Sequence, residues 1–436
     1  MKRWFFAAAL VLGGAAVAQQ DVTITWMGGS NAPAQQFAAA SAQRYMDANP
    51  HTINGTEYNV TIEFVAGPES TTDRLSLYLQ YFEAQSPEVD LMNIDVIWPG
   101  DLAAHLVDLY QYEGFEEAVE AHFPAIVENN TVDGELVGIP LFTDAGLLYY
   151  RSDLLEEYGY DGPPSTWDEL EEMARTIQEG EREGGNQDFW GFVWQGNAYE
   201  GLTCDALEWV ASHGGGTIIS PDGVITINNE RAIAAIERAA GWVGSISPEG
   251  VTGFLEEDAR GVWQAGNAAF MRNWPYAYVP GQDEASPIRG KFGVAPLPAG
   301  EGGSPAATLG GWQLAVNAYS DNPAVAADVA LHLTSYEEQV RRAIEVSNLP
   351  TIEAVYEDPE LLNSEVAWFA DLLPVFQNAV ARPSTVTAPQ YGETSRIFFT
   401  AVHDVLTGQE DAGTALAILE LDLMELHPDF EVGTPE

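Results

Sequence analysis

Three times in the first hundred residues, a short β-branched or aromatic run ends in glycine or proline and gives way to helical spacing. VTITWMGG (22–29) leads into an amphipathic stretch through Phe37, Tyr45 and Met46. NVTIEFVAG (59–67) precedes a helix predicted over 73–85 with Leu75, Leu77 and Leu79, and VDLMNIDVIWPG (89–100) precedes a short helix predicted over 102–109. Strands alternating with helices predict α/β layering and a parallel, doubly wound sheet. Such sheets take ligands at the carboxyl ends of their strands. Gly28-Gly29, Gly67-Pro68 and the segment from Asp95 to Gly100 all lie at those ends.

The rhythm then changes. ELVGIPLFTDAGLLYYR (135–151) is a strand-like run broken at Thr143-Asp144, and PPSTWDELEEMARTIQ (163–178) opens a helix with Ser165 or Thr166 as its cap. Segments 266–278, 291–298 and 310–317 read as returning strands, and helices follow over 324–334, 336–345, 361–378, 395–406 and 413–426. The chain shows neither an internal repeat nor a long linker. Its 436 residues suit two α/β lobes built from interleaved segments.

Composition narrows the function. Residues 1–18, with Lys2-Arg3, an apolar run and Ala16-Val17-Ala18, read as a secretory signal peptide. The expected product is exported to the periplasm or another extracytoplasmic space. Cys204 is the one cysteine, so neither an internal disulfide nor a cysteine metal cluster is expected, and the seven histidines are scattered. Removing Lys2 and Arg3 takes the formal charge from −49 to about −51, which argues against nucleic acid and anionic membranes as partners. Because the acids run along the whole chain, the charge reads as a solubility adaptation. Nucleophile-elbow, phosphate-loop and dinucleotide motifs are missing from the sequence, and no cofactor or metal is expected.

Candidate strand ends carry Arg74, Asp95, Trp98, Asp144, Trp274, Trp312 and Arg382. Carboxylates and guanidinium groups beside indoles suit a sugar: the charged groups bond hydroxyls, and the indole covers the apolar face of a pyranose. Two other readings use the same residues. Paired carboxylates would serve a secreted glycoside hydrolase, and acids around indoles would cage a cation, although the arginines argue against the latter.

NIDVIWPG, FTDAGLLYYR, FWGFVWQG (189–196), YEGLTCDALEW (199–209), GNAAFMRNWPYAY, GVAPLP and AATLGGWQLAV (306–316) resemble the trehalose/maltose-binding proteins of ABC sugar importers, a branch of the extracellular solute-binding proteins. The resemblance implies a two-lobed periplasmic binding protein fold. Each lobe is then a doubly wound sheet with helices on both faces, and the chain crosses between lobes three times, near 140–147, 294–298 and 334–338. The implied division is a signal peptide over 1–18, lobe 1 over 19–140 plus 298–335, and lobe 2 over 141–297 plus 336–436. The implied function is capture of an α-linked disaccharide and its delivery, as a monomer without catalytic activity, to membrane-spanning permease subunits.

The family's sugar-binding positions fall on Arg74, Asp95, Phe142, Asp144, Trp274, Gly311, Trp312 and Arg382. Three departures retune the site. The family's acid after the first strand is replaced by GGSNAPAQQF, leaving Ser30, Asn31 or Gln35 as neutral substitutes; Phe142 stands where a tyrosine is common; and Thr387 and Ala388 stand where tyrosines are frequent, with Tyr391 as a substitute if the loop folds back.

Overall fold

The computed structural model describes residues 19–435; the expected signal peptide lies outside the described residues. The longer strands, in chain order, are β1 (Gln20–Gly28), β2 (His51–Ile53), β3 (Thr56–Ala66), β4 (Leu91–Asp95), β5 (Ile139–Ala145), β6 (Leu147–Arg151), β7 (Trp190–Val193), β8 (Ala268–Asn273), β9 (Phe292–Ala295) and β10 (Leu309–Val316). They form one sheet in the order β2-β3-β1-β4-β10-β5 and another in the order β9-β6-β8-β7. Each sheet is the centre of one lobe.

The principal helices are α1 (Ala32–Met46), α2 (Thr71–Glu83), α3 (Trp167–Glu183), α4 (Glu200–Ser212), α5 (Glu230–Trp242), α6 (Glu256–Gln264), α7 (Pro323–Leu333), α8 (Tyr336–Val346), α9 (Trp368–Gln377), α10 (Tyr391–Leu406) and α11 (Ala412–Leu426). Their starts follow capping chemistry. Asn31 and Ser70 accept N–H bonds at the heads of α1 and α2, and Thr166, not Ser165, caps α3 in a reciprocal box with Glu169.

The parallel expectation holds for β3, β1 and β4. It fails for β10, which runs antiparallel between β4 and β5, and in part for the second sheet, where β6 is antiparallel to both β8 and β9 while β7 runs parallel to β8. The cause is topological: β10 enters the first sheet from the other lobe rather than through a local helical crossover. The run 135–151 breaks at Gly146, not at Thr143-Asp144, and there the chain passes from β5 in one sheet to β6 in the other. The expected helix over 102–109 is a single turn at Pro99–Leu102 followed by two 3-10 turns, and the helix over 361–378 is split into Pro359–Leu362 and α9.

The first lobe closes around residues such as Ile24, Val60, Leu91 and Leu314. The second holds a knot of tryptophans: Trp194 lies 5.0 Å from Trp209 at 88°, and Trp242 lies 5.3 Å from Trp167 and 5.6 Å from Trp209. All four indoles are buried, and Trp209 meets Trp194 and Trp242 edge-to-face, the geometry aromatic quadrupoles favour, while Trp167 and Trp242 are tilted at 37°.

Helix α8 is tied to α1 by a buried carboxylate. Glu338, whose side chain is fully buried, accepts two bonds from Arg44 at 2.6 Å, one from Arg341 at 2.9 Å and one from Ser41. These donors outweigh the burial penalty and hold its carboxyl down at about 2. Its contribution to stability is therefore complete above the ordinary value of 4.5 and disappears as the pH falls toward 2. Glu338→Ala is expected to lower unfolding free energy by about 1–3 kcal/mol at neutral pH, with a smaller difference from wild type at pH 3. Urea midpoints at the two pH values check this; equal midpoints at pH 7 contradict it.

Candidate functional site

The carboxyl end of β4 and the crossing strand β10 meet at the floor of a cleft between the lobes. Asp95, the last residue of β4, pairs in register with Trp312 of β10, and Trp312 pairs on its other side with Phe142 of β5. Gly311 has φ +131°, and a Cβ there would stand 2.7 Å from the Phe142 carbonyl oxygen. Only glycine lets β10 approach β5 this closely in that conformation.

One cation organises the floor. The Arg382 guanidinium donates to Glu200 at 2.7 Å, to Asp95 at 3.1 Å and to the Leu309 carbonyl at 3.3 Å, with its side chain 2% exposed. Glu200, the first residue of α4, also accepts from the hydroxyls of Tyr391 and Ser395, each at 2.6 Å. Its backbone N–H donates to Thr72 of α2 at 3.2 Å, a contact from one lobe to the other. Burial pushes the Asp95 carboxyl up to about 6 despite Arg382, with Glu200 adding repulsion.

Asp144 is left unsatisfied, as is the Nε of Arg382. The Asp144 Oδ1 is buried without a hydrogen-bond partner, and burial, reinforced by the Asp95 charge, raises its carboxyl well above the usual range. A polar atom left so in a cleft wall is a place where a ligand recovers a hydrogen bond.

Each lobe contributes a tryptophan backed by an arginine. The Arg74 guanidinium sits 4.6 Å from the Trp312 ring centre, and Arg272 sits 4.0 Å from that of Trp274. Both cations are themselves held. Arg74 donates to the Pro68 carbonyl, and Arg272 pairs with Asp205 at 2.9 Å and Glu208 at 2.6 Å. Trp98 meets Trp312 edge-on at 5.7 Å and stays outside the lining, as a residue packed behind the floor.

Arg74, Asp95, Phe142, Asp144, Trp274, Gly311, Trp312 and Arg382 line one cleft together with Ser30 and Asn31, with about 170 Å³ in which the centre of a water-sized molecule can sit. Two expected residues do not line it. Gln35 turns back to the Ser30 carbonyl, and Tyr391 is fully buried behind the floor with its hydroxyl given to Glu200. Sequence reasoning missed Glu200, Glu256, Glu257, Tyr276 and Asn93, which also line the cleft. Glu200 is the second residue of YEGLTCDALEW, so a helix start following an aromatic was its only signal.

Comparison with known proteins agrees with this architecture. The family model described as bacterial extracellular solute-binding protein matches residues 28–340. A Deinococcus radiodurans protein described as a probable ABC transporter-binding protein is 55% identical over 366 residues, covering 84% of this chain and 86% of that one. The maltose-bound MalE3 of T. maritima superposes with a TM-score of 0.86 at 40% identity, over 94% of this chain and 100% of that chain. The GacH receptor of Streptomyces glaucescens, solved unliganded and with acarbose, shares the fold with a TM-score of 0.79 at 22% identity, over 94% and 100% of the two chains.

Two outcomes follow from the charges at the floor. Arg382→Ala strands Asp95 and Glu200 in a buried site and is expected to cost about 3–5 kcal/mol of stability in urea unfolding; a loss below 1 kcal/mol would show that the cation is dispensable. Because the native Asp95 carboxyl is raised from 3.8 to about 6, its contribution to stability is lost as the pH rises through about 6. The melting temperature is expected to rise from pH 7.5 to pH 5, and Asp95→Asn to flatten that rise; an unaltered profile in the variant contradicts the assignment.

Proposed function

The chain belongs to the bacterial extracellular solute-binding proteins, and from that premise we propose that it captures an α-linked disaccharide of the maltose, trehalose or sucrose type between its lobes and delivers it to the membrane-spanning permease of an ABC importer. The observation that carries the reading is the composition of the cleft. Two arginine-backed indoles, one per lobe, stand beside a buried carboxyl with an unused oxygen. Indole faces cover the apolar faces of pyranose rings, while charged donors and acceptors bond their hydroxyls. The 40% identity to a maltose-bound relative supports the same ligand class.

In this reading Arg74, Asp95, Phe142, Asp144, Trp274, Gly311, Trp312 and Arg382 contact the sugar, with Ser30 at the rim. Lobe 1 comprises 19–145 plus 298–335, and lobe 2 comprises 146–297 plus 336–436; the expected first boundary at 140 moves to Gly146 because β5 stays paired with β10 in the first sheet. The Thr72–Glu200 contact belongs to the closed arrangement that traps the ligand. The protein works as an exported monomer after removal of residues 1–18. Among the described residues, no helix is long and apolar enough to cross a membrane.

Two stacked rings and several charge-assisted bonds support micromolar affinity, about −8 kcal/mol. A thermal-shift panel of maltose, trehalose and sucrose at millimolar concentration is expected to raise the melting temperature with at least one sugar, since a ligand at 100 times its Kd adds about 2.7 kcal/mol. Asp144→Ala and Trp312→Ala are expected to remove the shift while the variants remain folded. A flat panel sinks the proposal, and release of glucose from any of the sugars would replace it with a hydrolase.

A further inference from the structure

The carboxylates of the cleft differ in how much hydrogen-bonding capacity they keep. Asp95 gives one oxygen, Oδ1, to Arg382 and the Ile97 N–H. Glu200 is saturated by Arg382, Tyr391 and Ser395. Glu257 receives two N–H bonds from Arg260 and the Tyr276 hydroxyl. Glu256 receives a long side-chain bond at 3.3 Å from the indole N–H of Trp274 to Oε1 and stands beside the buried hydroxyl of Tyr199. An ionised carboxylate offers about four acceptor positions, so Glu256 keeps acceptor capacity at the cleft.

Its placement suits a ligand contact. Glu256 is the first residue of α6, where the helix N-terminus favours a negative side chain. It lines the cleft from the second lobe, and its charge is felt by Arg74 of the first lobe and by the buried Tyr199 and Asp205 of its own, so it stands where the opening meets the second-lobe core. On the other side of the cleft, Asn31 spends its side-chain oxygen on capping α1, which leaves Ser30 as a weak neutral donor. Glu69 of the first lobe and the open Oδ1 of Asp144 also line the cleft, but Glu256 is the acceptor fixed to the edge of the indole against which a ring would lie.

Building on the disaccharide reading, we infer that Glu256 is a ligand-binding and specificity-determining residue, accepting a hydroxyl hydrogen from the sugar ring stacked on Trp274. An acceptor without a donor selects for a free hydroxyl at one ring position. A deoxy or O-methyl group there leaves the carboxylate desolvated and unpaired, which is the arrangement that discriminates most strongly.

The test is titration calorimetry of the whole mature chain with whichever panel sugar binds wild type, and with its monodeoxy analogues, on wild type and Glu256→Gln. Hydrogen bonds to charged groups contribute enough for a loss of about tenfold or more in Glu256→Gln. One deoxy analogue is expected to bind wild type about tenfold more weakly than the parent sugar and to bind the variant as well as the parent does. Parent-sugar affinity unchanged in Glu256→Gln overturns the inference. So does weakened affinity with every analogue penalty preserved, because Glu256 would then only hold the Trp274 ring in place. If wild type binds no sugar in the panel, the disaccharide reading itself has failed and this inference falls with it; that failure appears in wild type, before any variant is compared.

Discussion

The Arg382 guanidinium joins three segments that are remote in sequence. Asp95 ends a strand of the first lobe, Glu200 begins a helix of the second, and Leu309 begins the strand that returns to the first sheet. Burying one cation with two carboxylates is expensive in solvation and becomes tolerable only when the charges meet each other in good geometry. In the closed arrangement the three segments hold one another, because displacing any one of them while the site stays buried leaves a charge without its partner. The register of the cleft floor, from Asp95 through Trp312 to Phe142, rests on that three-way junction.

Above the floor, the same logic repeats in softer form. Arg74 and Arg272 are each anchored by acceptors behind them and present a guanidinium face to a tryptophan. An indole held by a neighbouring cation and its own ring contacts has little rotamer freedom left to lose when a ligand arrives. Binding energy then goes into recognition and not into ordering the wall. Asp144 is the complement of this order: a fixed group whose bonding capacity the protein leaves open.

Much of this was legible in the sequence, and the limits have physical causes. The early strand–helix rhythm gave β1, β3, β4 and the helices after them, since period and capping are local properties. Asp95 and Asp144 stood out because a carboxylate inside an apolar run needs a partner, and the structure brings both to the cleft. The antiparallel entry of β10 was hidden, because nothing local in GGWQLAV says which neighbours it will have. Tyr391 misled for the same reason: a tyrosine near a site and a tyrosine supporting it from behind look alike until Glu200 is seen taking its hydroxyl. Glu256 was invisible for a statistical reason. In a chain with 66 acidic residues, one glutamate at a helix start carries no signal until its remaining acceptor capacity is seen beside an indole.

The tryptophan knot of the second lobe has an optical consequence. Trp167, Trp194, Trp209 and Trp242 lie buried at fixed, mostly near-orthogonal angles with centres 5.0 to 6.4 Å apart, so their transitions couple and produce a near-ultraviolet circular dichroism band that exists only while the tertiary packing does. Trp274 and Trp312 sit apart from this group, in the cleft wall, and their emission answers to what occupies the cleft. The band of this group therefore reports the packing of the second lobe, while the cleft tryptophans, Trp26 among them, report on the cleft against the emission of the rest of the twelve.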